Sequence, residues 1–101
     1  MTGGEFLSAE QRAKCIGLKR SSLGPGRNGW IGSDALYDAI LEGNPYRIRG
    51  LFGSGRNFIV NHANGDRGAK ALAKLDFYVH TDVVMTPTAS FADVFLPINA
   101  P

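Results

Sequence analysis

The chain has 101 residues, 44% of them hydrophobic and 20% charged, which gives room for one small α/β-sized core and excludes several large domains. A net charge of +2 carries no nucleic-acid footprint, although it leaves an anionic ligand welcome. The single cysteine, Cys15, excludes an internal disulfide and a zinc or iron–sulfur site built from this chain's cysteines. It suits a reducing, cytoplasmic setting. No basic segment followed by an apolar core marks a signal peptide, and no apolar run nears the roughly 20 residues that span a bilayer.

Residues 1–32 read as an irregular N-terminal segment. Within it, Ser8 followed three positions later by Gln11 has capping-box spacing, so Ser8–Cys15 predicts a short helix that ends by Gly17. Ser21–Gly29 is rich in Gly, Pro and Ser and predicts a loop, with Trp30 and Ile31 packing it inward. From Ser33 the pattern sharpens. Ser33–Asp34 offers an N-cap to a helix over Ala35–Glu42, with Leu36, Ile40 and Leu41 on one face and Tyr37 beside it. Gly43 then stands at the C′ position, and Asn44–Pro45 forbids continuation.

Ile48–Phe52 predicts a strand, followed by the turn Gly53–Ser54–Gly55 and the run Phe58–Val60. Arg47 and Arg49 alternate with Ile48 as solvent-facing edge residues. Asp66 offers a cap to a helix over Arg67–Leu75. Its buried stripe is expected at Ala69, Leu72 and Ala73, with Lys70 and Lys74 outward. Phe77–His80 predicts a second strand running up to Thr81–Asp82. Thr86–Pro87 predicts the start of a short helix over Thr88–Ala92, and Asp93–Pro97 a third strand. Strands separated by helices imply parallel pairing through crossovers. The expected fold is therefore α/β: a Rossmann-like, three-layer partial domain with a short parallel sheet of about three strands and flanking helices, over residues 33–101.

Ligands of open parallel sheets bind at the carboxyl ends of the strands. There the sequence gathers Gly53–Asn57, His80–Thr88 and the exit after Leu96. Glycines admit close backbone approach, Arg56 is a permanent cation, and Asn57 donates and accepts at once. Asp82 has the character of an acid that grips a ribose hydroxyl or a base edge, while Thr86 and Thr88 stand at a predicted helix N-terminus. Plainer roles compete with each of these. The glycine turn lacks the third glycine of the dinucleotide fingerprint, since Phe58 occupies that place, and so also reads as an ordinary loop. Asp82 and Thr86 also read as caps. His62 and His80 lack metal-like spacing to other ligands and read as surface or strand-end residues; Cys15 reads as an inert thiol. No nucleophile–base–orienter set emerges. The chain reads as a binding surface, with no catalytic or metal-ligating residues.

Two stretches carry a resemblance. LYDAILEGNPYRIRGLF, running into Gly55-Arg56-Asn57-Phe58, and LAKLDFYVHTDVVMTPTASFADVFLP, Leu72–Pro97, resemble the central α/β part of the molybdopterin oxidoreductases, the dimethyl-sulfoxide-reductase and formate-dehydrogenase superfamily. Asp82, Thr86, Thr88, Ala89, Ala92, Asp93, Val94, Leu96 and Pro97 fall in the family's order. Phe58 and Pro87 depart from it, standing where the family has proline and glutamate. The resemblance implies a molybdenum or tungsten oxidoreductase and a molybdopterin guanine dinucleotide cofactor. It also implies cofactor-binding roles for Gly55, Arg56, Asn57, Asp82, Thr86 and Thr88. The expected partners are the remaining domains or subunits of such an enzyme, without which the chain is not catalytically competent. Neither nucleic acid nor a membrane segment is implied. Two alternatives stay open: a small guanine-nucleotide-binding module, and a structural or interaction module with a vestigial site.

Overall fold

The structure, a computed structural model, describes residues 6–18 and 31–100. The predicted Ser21–Gly29 loop and Trp30 lie outside the described residues. The chain forms two compact units that divide between Arg47 and Ile48.

The first unit holds helices α1 (Ala9–Ala13) and α2 (Ser33–Leu41). The capping box at α1 is formed as its spacing predicts. Gln11 N donates to Ser8 Oγ at 3.2 Å, and Ser8 N donates to Gln11 Oε1 at 2.9 Å, which satisfies two amides that a helix start leaves unpaired. The α2 helix begins at Ser33 itself, with Gly32 as N-cap, and Gly43 comes after it with a φ of 70°. Its buried side is Ala35, Tyr37, Asp38, Ala39 and Ile40, whereas Leu36 and Leu41 are only half-buried. The buried side is thus rotated away from the leucines: the small alanines permit the close approach, and the leucines border it. Ile31, expected to pack inward, is exposed.

The second unit is a three-stranded, all-parallel sheet in the order β1 (Gly50–Ser54), β2 (Phe77–Asp82), β3 (Val94–Pro97). Helices α3 (Phe58–Asn61) and α4 (Gly65–Lys74) carry the chain from β1 to β2, and a 3₁₀ turn at Ala89–Phe91 lies between β2 and β3. The β1 strand starts two residues later than predicted, so Arg47 and Arg49 precede it and do not line its edge. Arg49 pairs with Asp76 at the surface, an ion pair worth at most about 1 kcal/mol. The α4 helix starts at Gly65, behind Asn64 in the left-handed region (φ 62°), instead of behind Asp66. Its buried residues are Gly68, Ala71 and Leu72, and Ala73 faces solvent, so the stripe lies on a neighbouring face from the one predicted.

Asp93 ties β2 to the start of β3. Its carboxylate accepts from Tyr78 N at 2.7 Å, and its own N–H donates to Tyr78 O at 2.8 Å. Central strand β2 is consequently paired on both edges and is the most buried strand. The two faces of the sheet differ sharply. On one face Tyr78 and His80 are buried, with Gly53 buried beside His80. On the other, Phe52 is 66% and Phe77 52% exposed, and Val94 and Leu96 are exposed with them. Phe52, Val79 and Val94 are direct cross-strand neighbours there. Parallel sheets are ordinarily covered on both faces. Here one face leaves Phe52, Phe77, Val94 and Leu96 exposed around half-buried Val79 and buried Thr81.

Candidate functional site

The carboxyl ends of β1 and β2 bring the predicted site residues onto one side of the second unit, because both strands run the same way and are in register from Gly50↔Phe77 to Ser54↔Thr81. After β1 the chain turns at Gly55 with a φ of 58°, a conformation that disfavours a side chain, and a Cβ there would have nothing within 4 Å. Gly55 N donates to Thr81 O at 2.9 Å, so this amide is spent on holding the turn against β2 and is not offered to an anion. Arg56 is exposed.

Asn57 and Thr88, 31 residues apart in the sequence, meet directly. Thr88 Oγ1 donates to Asn57 Oδ1 at 2.8 Å and accepts from Ile59 N at 3.1 Å. The Thr88 side chain is completely buried, and both capacities of its hydroxyl are taken. It works as a latch between the β1 exit and the turn beyond β2. Asn57 keeps its amide Nδ2 with no protein acceptor among the described residues. Thr86 Oγ1 accepts from Ala89 N at 3.1 Å, the capping role expected of it. The segment it caps is a three-residue 3₁₀ turn and not the predicted helix, so the helix-dipole argument for an anion at Thr86 and Thr88 loses its basis.

Asp82 ends β2. It is 9% exposed, and its Oδ1 accepts from Val83 N at 2.7 Å. Next to it are two residues whose part the sequence reading missed. His80 is 0% and Tyr78 1% exposed, so His80 is no surface histidine. His80 Nε2 stands 3.4 Å from Asp82 Oδ2, and His80 Nδ1 stands 2.6 Å from the Tyr78 hydroxyl. Burial pushes the Tyr78 phenol up to about 12. The signal was present in FYVHTD: positions 78, 80 and 82 share one face of a strand. Beyond Asp82 the exposed apolar side chains of Val83, Val84 and Met85 add a greasy border to the rim.

Among the described residues no group of three or more His, Cys, Asp or Glu side chains is gathered for a metal, and no helix is long and apolar enough to cross a membrane. A cavity of about 260 Å³ lies within the first unit, bordered by Arg12, Cys15, Ala35 and Asp38, and includes none of the rim residues. Cys15 Sγ there is 3.4 Å from Gln11 O.

Comparison with known proteins agrees with the resemblance. Residues 27–100 match the molybdopterin oxidoreductase family. A dopamine dehydroxylase of Eggerthella lenta is 36% identical over 89 residues, which is 88% of this chain and 9% of that protein. The molybdopterin-containing subunit ArrA of an arsenate respiratory reductase from Chrysiogenes arsenatis is 35% identical over 81 residues, 79% of this chain and 10% of that one. An acetylene hydratase of Syntrophotalea acetylenica is 36% identical over 63 residues, 62% of this chain and 9% of that protein. The chain thus spans about a tenth of the length of the curated relatives it matches. The matched region takes in all three strands and every rim residue, and the chain belongs to the molybdopterin oxidoreductases.

Proposed function

We propose that the rim made by residues 53–57, 82 and 86–88 holds the nucleotide end of a molybdopterin guanine dinucleotide. The observation that carries this reading is Asp82, an almost buried carboxylate at the carboxyl end of the central strand, gripped through Oδ1 by the Val83 amide. A carboxylate accepts paired hydrogen bonds from adjacent N–H donors, and guanine presents such a pair on its Watson–Crick edge.

The neighbouring residues fit the rest of the group. The turn at Gly55 leaves open space where a phosphate or sugar passes. Exposed Arg56 supplies positive charge for phosphates, and the Asn57 amide supplies a neutral donor. Thr86 keeps its hydroxyl proton for a ligand while its oxygen caps the 3₁₀ turn. Thr88 acts through Asn57, whose orientation it fixes. When bound, the cofactor supplies a redox-active molybdenum or tungsten centre. The residues of this chain bind and orient its far end, and further domains or subunits close the other side. In this reading the isolated chain does not turn over, and it sits in the cytoplasm. Stoichiometric metal together with dye-linked reduction by the purified chain would contradict that part.

The direct test is calorimetry with GDP. Asp82→Asn replaces one acceptor oxygen with a donor and is expected to weaken GDP binding about tenfold or more, the loss of a charge-assisted pair. Equal GDP affinity in Asp82→Asn and wild type would remove Asp82 from the site.

A further inference from the structure

Tyr78, His80 and Asp82 form a connected row along β2, closed from solvent at Tyr78 and ending at the rim with Asp82. We propose that Tyr78 and His80 are positioning residues: they fix the Asp82 carboxylate as an acceptor for two adjacent donors, and so favour guanine over a base that lacks the exocyclic amine. This rests on the nucleotide reading of the rim and adds to it the residues that set its specificity.

The donor directions come from the chemistry of the row. A neutral His80 ring that faces the Asp82 carboxylate carries its proton on Nε2 and a lone pair on Nδ1. The buried Tyr78 phenol keeps its proton at neutral pH, and in that tautomer its O–H, 2.6 Å away, donates to Nδ1. The other tautomer would set two acceptors against each other in a buried place. The Nε2···Oδ2 distance of 3.4 Å exceeds the roughly 2.7–2.9 Å of a tight charge-assisted bond, so the carboxylate is aimed but still able to draw closer when a ligand seats. Asp82 Oδ1 is held by the Val83 amide at 2.7 Å, and Oδ2 faces the imidazole at 3.4 Å. The two contacts together bias the plane of the carboxylate, the condition for recognising two parallel donors.

Space for the row is reserved across the sheet. Gly53 pairs with His80, and a Cβ at Gly53 would come within 2.7 Å of His80 Nδ1 and 2.9 Å of the Tyr78 hydroxyl. Simple packing would be served by apolar side chains at 78 and 80, with no need for a glycine opposite.

The test joins ring-nitrogen NMR of the full chain to binding of GDP and IDP, whose bases differ only by the exocyclic amine. The wild type is expected to show the Nε2–H tautomer at His80 and to prefer GDP. Tyr78→Phe keeps the ring and removes the donor. It should mix the tautomers, move the Asp82 carboxyl carbon signal, weaken GDP about tenfold and IDP less, so that the preference narrows. His80→Gln, which retains an N–H, should keep more of the preference than His80→Leu. An Nδ1–H tautomer in the wild type overturns the proposal, as does an unchanged GDP-to-IDP ratio in Tyr78→Phe; equal losses for both nucleotides would assign the row to packing alone. A wild type that binds neither nucleotide removes the nucleotide reading and the base preference with it. The tautomer then still decides whether His80 orients Asp82.

Discussion

Gly53 shows how a single missing side chain shapes the site. It lies opposite His80 in the β1–β2 register, in the space that two polar side chains use to meet. Gly53→Ala is expected to destabilise the chain by about 1–3 kcal/mol, the usual range for overpacking, in denaturant unfolding. Tyr78 gives a second expectation at this scale. Its folded-state pKa is raised from 10.0 to about 12 by burial, and linkage sets the sign. Between those values the unfolded chain has released a proton that the folded chain keeps, so the contribution is complete below pH 10 and lost as pH rises through about 12. Tyr37 is raised too, by burial and by Asp34, and acts in the same direction. Unfolding curves across the alkaline range should show stability falling, and Tyr78→Phe should flatten part of the fall. The sequence made Asp82, Asn57 and Thr86 legible because charged and capping residues at strand ends are conspicuous. It hid Tyr78 and His80, because a polar residue inside a strand declares its partner only when the alternation of the strand is traced two residues at a time.

At the scale of elements, the Asn57–Thr88–Ile59 contact joins the segment leaving β1 to the turn leaving β2. Thr88→Val preserves shape but leaves Asn57 Oδ1 without its donor and Ile59 N–H without its acceptor. The expected loss is about 1–3 kcal/mol, with faster amide exchange at Ile59. The parallel order of the strands was readable from the sequence, since turn residues and helical spacing separate three apolar runs. Helix α3 was not. Phe58-Ile59-Val60 carries strand-like residues, yet it forms a single helical turn in which Val60 N and Asn61 N both donate to Asn57 O. In so short a piece tertiary contacts outweigh propensity. The same weakness moved the buried side of α4: its row of alanines and lysines fits several faces, and the one that is buried carries Gly68, Ala71 and Leu72.

For the whole molecule the apolar sheet face matters most. Phe52, Phe77, Val94 and Leu96 present aromatic and branched surface to solvent on the side away from the Tyr78–His80 row. A face of this kind favours self-association until something covers it. Phe52→Ser together with Leu96→Thr is expected to lower light scattering at a given concentration while changing unfolding by less than about 1 kcal/mol, because both side chains already face water. Unchanged scattering would mean that this surface does not govern association. The central claim, a guanine nucleotide seated at the carboxyl rim, is tested most directly by amide-shift mapping of the labelled chain during titration with GDP, with ADP as the control. Saturable shifts confined to residues 53–57, 80–83 and 86–89 with GDP and not with ADP are the predicted result. Shifts centred elsewhere, or none that distinguish the two nucleotides, would contradict it.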